Sequence, residues 1–97
     1  MNVIVTAKSN NIDNSILTEM KDKIILKLSR IVEDNSIIRI TIDDMNGIKG
    51  GMDKLCTMKI EPKKSIPIIS MGQARTEDEA FRKSLHKFMK LIMRRKP

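Results

Sequence analysis

Apolar residues along this chain follow two different periods. The opening stretch VIVTA, Val3 to Ala7, is short and β-branched and runs into the polar KSNNIDNS, which predicts a strand followed by a loop. From Asn14 to Val32 the period changes: Leu17, Met20, Ile24, Leu28 and Ile31 recur three or four apart, the spacing of one helix face. Asp13 stands where an N-cap belongs, and Glu19 precedes Lys23 by four residues, as an ion pair along a helix requires. EDN, Glu33 to Asn35, ends this helix.

Period two then takes over. In SIIRITIDD, Ile38, Ile40 and Ile42 alternate with Arg39 and Thr41, so one face of a strand is buried. KLCTMKIEP does the same with Cys56, Met58 and Ile60 on one face and Leu55, Thr57 and Lys59 on the other. PKKSIP, Pro62 to Pro67, predicts a turn into a further strand, IISMGQA, whose alternation is weak because Gly72 and Ala74 are small. Thr76 and Glu79 form a T-x-x-E capping box, with Glu77, Asp78 and Glu79 in the first turn, where a helix dipole favours acids. Ala80, Phe81, Leu85, Phe88 and Ile92 continue as one apolar stripe to Arg95. The predicted order is β-α-β-β-β-α: an α+β domain spanning residues 1–97, with an antiparallel meander and two helices on one face of a four-stranded sheet.

Composition narrows the function. A chain of 97 residues has room for one small core and too little for an enzyme with an enclosed cleft. Its 40% hydrophobic content suits a packed domain, and the longest purely apolar runs are three residues, too short for a membrane span or a signal peptide. A soluble, cytoplasmic protein is therefore expected. One cysteine and one histidine offer neither a disulfide nor a zinc site, so no metal or other cofactor is expected. Lys and Arg number 19 against 12 Asp and Glu, a net charge of +7, which biases partners toward polyanions.

Catalysis finds no foothold. NGIKGG, Asn46 to Gly51, fits neither dinucleotide nor P-loop spacing and joins two strands instead of opening a helix. It reads as a hairpin loop whose glycines supply positive φ, with Lys49 and Lys54 placed for a phosphate contact. Ser84 and His86 lie two apart on the last helix and cannot face each other. Cys56 falls on an apolar strand face, the setting of an inert core thiol. Asp43 and Asp44 mark a strand end.

The basic residues are more informative. Ala80 to Pro97 holds seven of them and no acid. Lys83, Lys87, Lys90 and Arg94 form one row along the helix, flanked by Arg82 and His86, and the first helix has its own row at Lys23, Lys27 and Arg30. With both helices on one sheet face, these rows can border a common basic groove. The dipole acts over the last helical turn, so it does not account for Arg82, Lys83 and Lys87. There is no Trp to anchor a membrane surface, and Phe81 and Phe88 sit at core spacing and offer no stacking platform, which leaves structured RNA read by phosphate and shape.

The element order, the NGIKGGMDKLC loop and the basic last helix together resemble the ribosome hibernation promoting factor and ribosome-associated inhibitor family, also called the sigma-54 modulation family. The most specific part is a D-x-N-G-x-[KR]-G-G-x-D-K-x-C pattern of one branch, matched by Asp44, Asn46, Gly47, Lys49, Gly50, Gly51, Asp53, Lys54 and Cys56. The resemblance implies a fold like that of double-stranded-RNA-binding domains and a non-catalytic factor that occupies the mRNA and tRNA channel of the small ribosomal subunit, on 16S rRNA, and inhibits translation under stress. By position, the implied RNA contacts are Lys23, Lys27, Arg30, Lys49, Lys54, Arg82, Lys83, Lys87, Lys90 and Arg94. Better-known members begin the last helix with a DMY-like segment where this chain has Asp78, Glu79 and Ala80. The dimerisation domain of the long forms is missing, so a monomer is expected, with no membrane and no small-molecule substrate. The alternative is a non-catalytic protein-interaction regulator, for example of a transcription factor.

Overall fold

A computed structural model of the protein describes residues 2–8, 14–29, 36–44, 54–61 and 67–95, with only the backbone of Arg95. Six elements follow in order: β1 (Asn2–Ala7), α1 (Asn14–Leu28), β2 (Ile37–Asp44), β3 (Lys54–Glu61), β4 (Ile68–Ala74) and α2 (Glu77–Arg95). The strands form one sheet in the order β1-β2-β3-β4, with β1 parallel to β2 and the other pairs antiparallel. A parallel pair needs a crossover, and α1 supplies it. Backbone bonds from Asn2 to the Ser36 carbonyl and from Lys8 to the Ile42 carbonyl extend the β1–β2 ladder at both ends.

The period-two pattern places its residues as expected. Ile38, Ile40 and Ile42 of β2 and Cys56, Met58 and Ile60 of β3 are buried on the face covered by both helices, together with Met20, Ile24 and Leu28 of α1. From α2, Ala80, Phe81, Leu85, Phe88 and Ile92 complete the core. Helix α1 packs on β1, and α2 packs on β4 and β3. The expected helix to Val32 is seen as far as Leu28, with a turn at Ser29; Asp13, Ile31 and the glycine-rich loop lie outside the described residues. The capping box is made as expected on its N-cap side, where the Glu79 amide donates to Thr76 Oγ1 at 3.2 Å.

Side-chain size falls across the sheet toward α2. One row of neighbours runs Ile42, Cys56, Gly72, and the next runs Ile40, Met58, Ser70. The helix facing them is small as well, with Ala80 and Ser84 one turn apart. The result is an approach that admits no side chain at Gly72: a Cβ there would lie 2.5 Å from the Ala80 carbonyl oxygen and 2.5 Å from the Ser84 amide nitrogen. The weak alternation of IISMGQA is thus a packing feature, because Ser70, Gly72 and Ala74 are the inward set of β4.

Two buried hydroxyls lock this contact. Ser70 Oγ donates to the Ser84 carbonyl at 2.9 Å, and Ser84 Oγ lies 3.0 Å from Ser70 Oγ, so both are satisfied without water. Cys56 is fully buried beside them, and burial pushes its thiol up to about 12, against a smaller opposing effect of the Ser84 hydroxyl. It is a neutral core thiol, as its strand position implied.

Two outcomes test this packing. Gly72→Ala must separate α2 from β4 against two backbone atoms, and it is expected to lower stability by about 2–3 kcal/mol in urea denaturation. The Cys56 thiol should resist maleimide in the folded protein. Its folded pKa lies above its unfolded one near 9, so the unfolded chain loses this proton first as pH rises. Stability should therefore fall between about pH 9 and 12 by at most about 1.4 kcal/mol per pH unit, a slope that Cys56→Ala removes.

Candidate nucleic-acid interface

Helices α1 and α2 lie side by side on the sheet, and the seam between them is an open groove of about 410 Å³. Lys23 and Lys27, one turn apart on α1, form one wall; Arg82 and His86, one turn apart on α2, form the other. Phe81, Leu85 and Met89 make the floor. Four nitrogen-bearing side chains thus converge over an apolar base, each able to donate to a phosphate oxygen.

Asp78 stands at the groove's end near the start of α2. Its carboxylate lies 3.2 Å from Arg82 Nη2 and 3.9 Å from Lys23 Nζ. The sequence paired Lys23 with Glu19 along α1; the structure pairs it across the groove. Both ion pairs are about half exposed, so each is worth little and an incoming phosphate can replace the carboxylate.

The basic row of α2 is divided by this geometry. Lys83 and Lys87 do not face α1: their ammonium groups donate to the backbone carbonyls of Gln73 at 3.2 Å and Met71 at 3.0 Å, on β4. The expectation of one groove bordered by Lys83, Lys87 and the α1 lysines is corrected here, because one side of α2 faces α1 and the other faces the β4 edge. Arg82 and His86, read from sequence as flanking residues, are the ones that line the groove. Lys90 and Arg94 are exposed farther along the helix.

Lys54 has a different setting. Its ammonium sits 2.8 Å from Asp44 and 3.8 Å from Glu77, with only 19% of the side chain exposed. It ties the start of β3 to the end of β2 and to the first turn of α2, and a phosphate would have to displace two carboxylates to reach it. Lys49 and Arg30 lie outside the described residues.

The opposite sheet face is nearly balanced. Arg39 and Lys59 flank Glu61 at 3.7 and 3.1 Å, and the Lys59 hydrogen bond holds the Glu61 carboxyl below its ordinary range. On the helices, Lys27, Lys83, Lys87, Lys90 and Arg94 are exposed basic side chains.

The architecture occurs in solved structures. The chain superimposes with a TM-score of 0.76 on the N-terminal domain of Protein Y from Thermus thermophilus, at 9% identity, covering 99% of this chain and 100% of that one. A ribosomal subunit interface protein from Coxiella burnetii gives 0.70 at 21% identity, over 97% and 96% of the two chains. No protein-family model and no curated protein matches the sequence. At these identities the likeness establishes a shared fold.

The placement of Lys54 has a measurable consequence. Lys54→Met leaves Asp44 and Glu77 without this cation and is expected to cost about 1 kcal/mol of folding stability. Lys27→Met, on the open groove wall, is expected to change stability by less than about 0.5 kcal/mol. Parallel urea titrations distinguish a structural lysine from a surface one.

Proposed function

We propose that this protein is a non-catalytic ribosome-binding factor that settles on 16S rRNA of the small subunit and blocks the mRNA and tRNA channel, inhibiting translation under stress. The observation that carries this reading is the α1–α2 groove, in which Lys23, Lys27, Arg82 and His86 converge on a fold shared with a ribosomal subunit interface protein. The groove is open at the surface and lined by donors, as contact with a phosphate backbone requires. Lys90 and Arg94 prolong the basic surface along α2, and Lys49 and Arg30 are further candidates from the sequence. The protein acts in the cytoplasm as a monomer and needs no cofactor, since the interaction is electrostatic.

Binding of this kind releases counterions. With about four phosphates neutralised, affinity for isolated small subunits should fall roughly 100-fold between 50 and 200 mM salt. Sucrose-gradient co-sedimentation measures it, and a flat salt profile would point to protein contacts and to the regulator reading instead.

Position should matter beyond net charge. Lys23→Glu with Lys27→Glu reverses one wall of the groove and is expected to abolish co-sedimentation. Lys8→Glu with Lys21→Glu makes the same change in formal charge elsewhere, since Lys21 lies on the flank of α1 that faces β1. That pair should retain most of the binding. Equal losses from both pairs would mean a diffuse field and sink the groove as the site.

A further inference from the structure

Among the described residues, strand β4 is the last strand of the sheet and pairs with β3. Its inward residues lie under α2, and its outward residues include Ile69 and Met71, which are 52% and 54% exposed. On the helix side of the same edge stand Lys83 and Lys87, held on the carbonyls of Gln73 and Met71. Those carbonyls belong to alternate residues, so they point to the same side of the strand, where both ammonium groups reach them. The edge thus presents backbone acceptors, two cations along one side and two large apolar side chains along the other.

We propose that this edge binds an extended, acidic segment of another protein, which adds to the sheet as a strand beside β4. An added strand turns alternate side chains to opposite faces. Acidic residues on its helix-facing side would meet Lys83 and Lys87, and apolar residues on its other side would cover Ile69 and Met71. The lysine bonds to β4 are exposed, so strand amides can replace them while the ammonium groups turn to the carboxylates of the incoming segment.

Charge complementarity excludes a second copy as the occupant. Two β4 strands paired about a twofold axis would bring the Lys83 and Lys87 side chains of both copies to the same face, where like charges repel. The proposed surface adjoins the α1–α2 groove over the exposed face of α2, where Arg82, Lys83, His86 and Lys87 line one shallow depression with Glu79.

The test uses the full chain and a synthetic peptide alternating glutamate and valine, about seven residues long, followed by fluorescence anisotropy and by amide exchange at β4. Saturable binding with slowed exchange at Met71 and Gln73 is the expected result. N-methylation of alternate peptide amides, which removes strand hydrogen bonds and keeps every charge, should weaken binding at least tenfold. A lysine-valine peptide should not bind, and Lys83→Ala with Lys87→Ala should weaken the acidic peptide about tenfold. Equal affinity for the N-methylated peptide would reduce the effect to charge attraction and overturn the proposal. So would absence of saturable binding, a dimer in sedimentation that protects β4, or Lys83- and Lys87-dependent binding of a short uridine oligonucleotide in place of the peptide. No ribosome is present in this assay, so its failure leaves the groove reading intact, and failure of co-sedimentation leaves this one intact.

Discussion

Helix α2 lies so close on β4 that a methyl group at Gly72 would sit 2.5 Å from two backbone atoms of the helix, the Ala80 carbonyl oxygen and the Ser84 amide nitrogen. That distance is set by a row of small residues on each side, Ser70, Gly72 and Ala74 on the strand and Ala80 and Ser84 on the helix. Backbone-to-backbone approach gains dispersion contact at short range and leaves no room for water, so the two serine hydroxyls must satisfy each other and do. A helix seated this firmly has a fixed rotation about its own axis. Its surface chemistry depends on that rotation.

With Ala80 and Ser84 against β4 and Phe81, Leu85 and Phe88 in the core, the remaining positions have no freedom of assignment. Arg82 and His86 line the seam with α1, Lys83 and Lys87 reach the β4 carbonyls, and all four meet on the exposed face of α2. One basic helix therefore serves two surfaces of different character. The seam with α1 is a groove open to a phosphate backbone, whereas the β4 flank is a sheet edge with carbonyl acceptors. A row of lysines that looks continuous along the helix is spent on the second of these as much as on the first.

The acids are placed so that the groove stays basic. Glu77, Asp78 and Glu79 occupy the first turn of α2, where they complement the helix dipole, and Glu77 together with Asp44 is engaged by Lys54. Glu61 is held between Arg39 and Lys59 on the far side of the sheet. Among the described residues, Asp78 is the carboxylate paired with groove cations, Lys23 and Arg82, at an exposed site. By sequence the two helices together hold nine basic residues against five acids, +4 of the net charge of +7.

Much of the architecture was legible in the order of residues. Period two in SIIRITIDD and KLCTMKIE and period 3.6 in the two helices determined the elements, their buried faces and the side of the sheet that carries the helices, because amphipathic segments of a small domain have one core to face. The T-x-x-E signal placed the start of α2, and the setting of Cys56 followed from strand parity. What the sequence could not decide was the distance and rotation between packed elements. Gly72 read as a weakness in a strand, although its spacing with Ser70 and Ala74 and the pairing of Ala80 with Ser84 were the signal of a close helix contact. The division of the basic row, the promotion of Arg82 and His86 to the groove wall and the capture of Lys54 by Asp44 and Glu77 belong to the tertiary structure alone. Helical spacing shows which residues share a face, but what that face meets is settled only when two elements pack and their side chains compete for the same space.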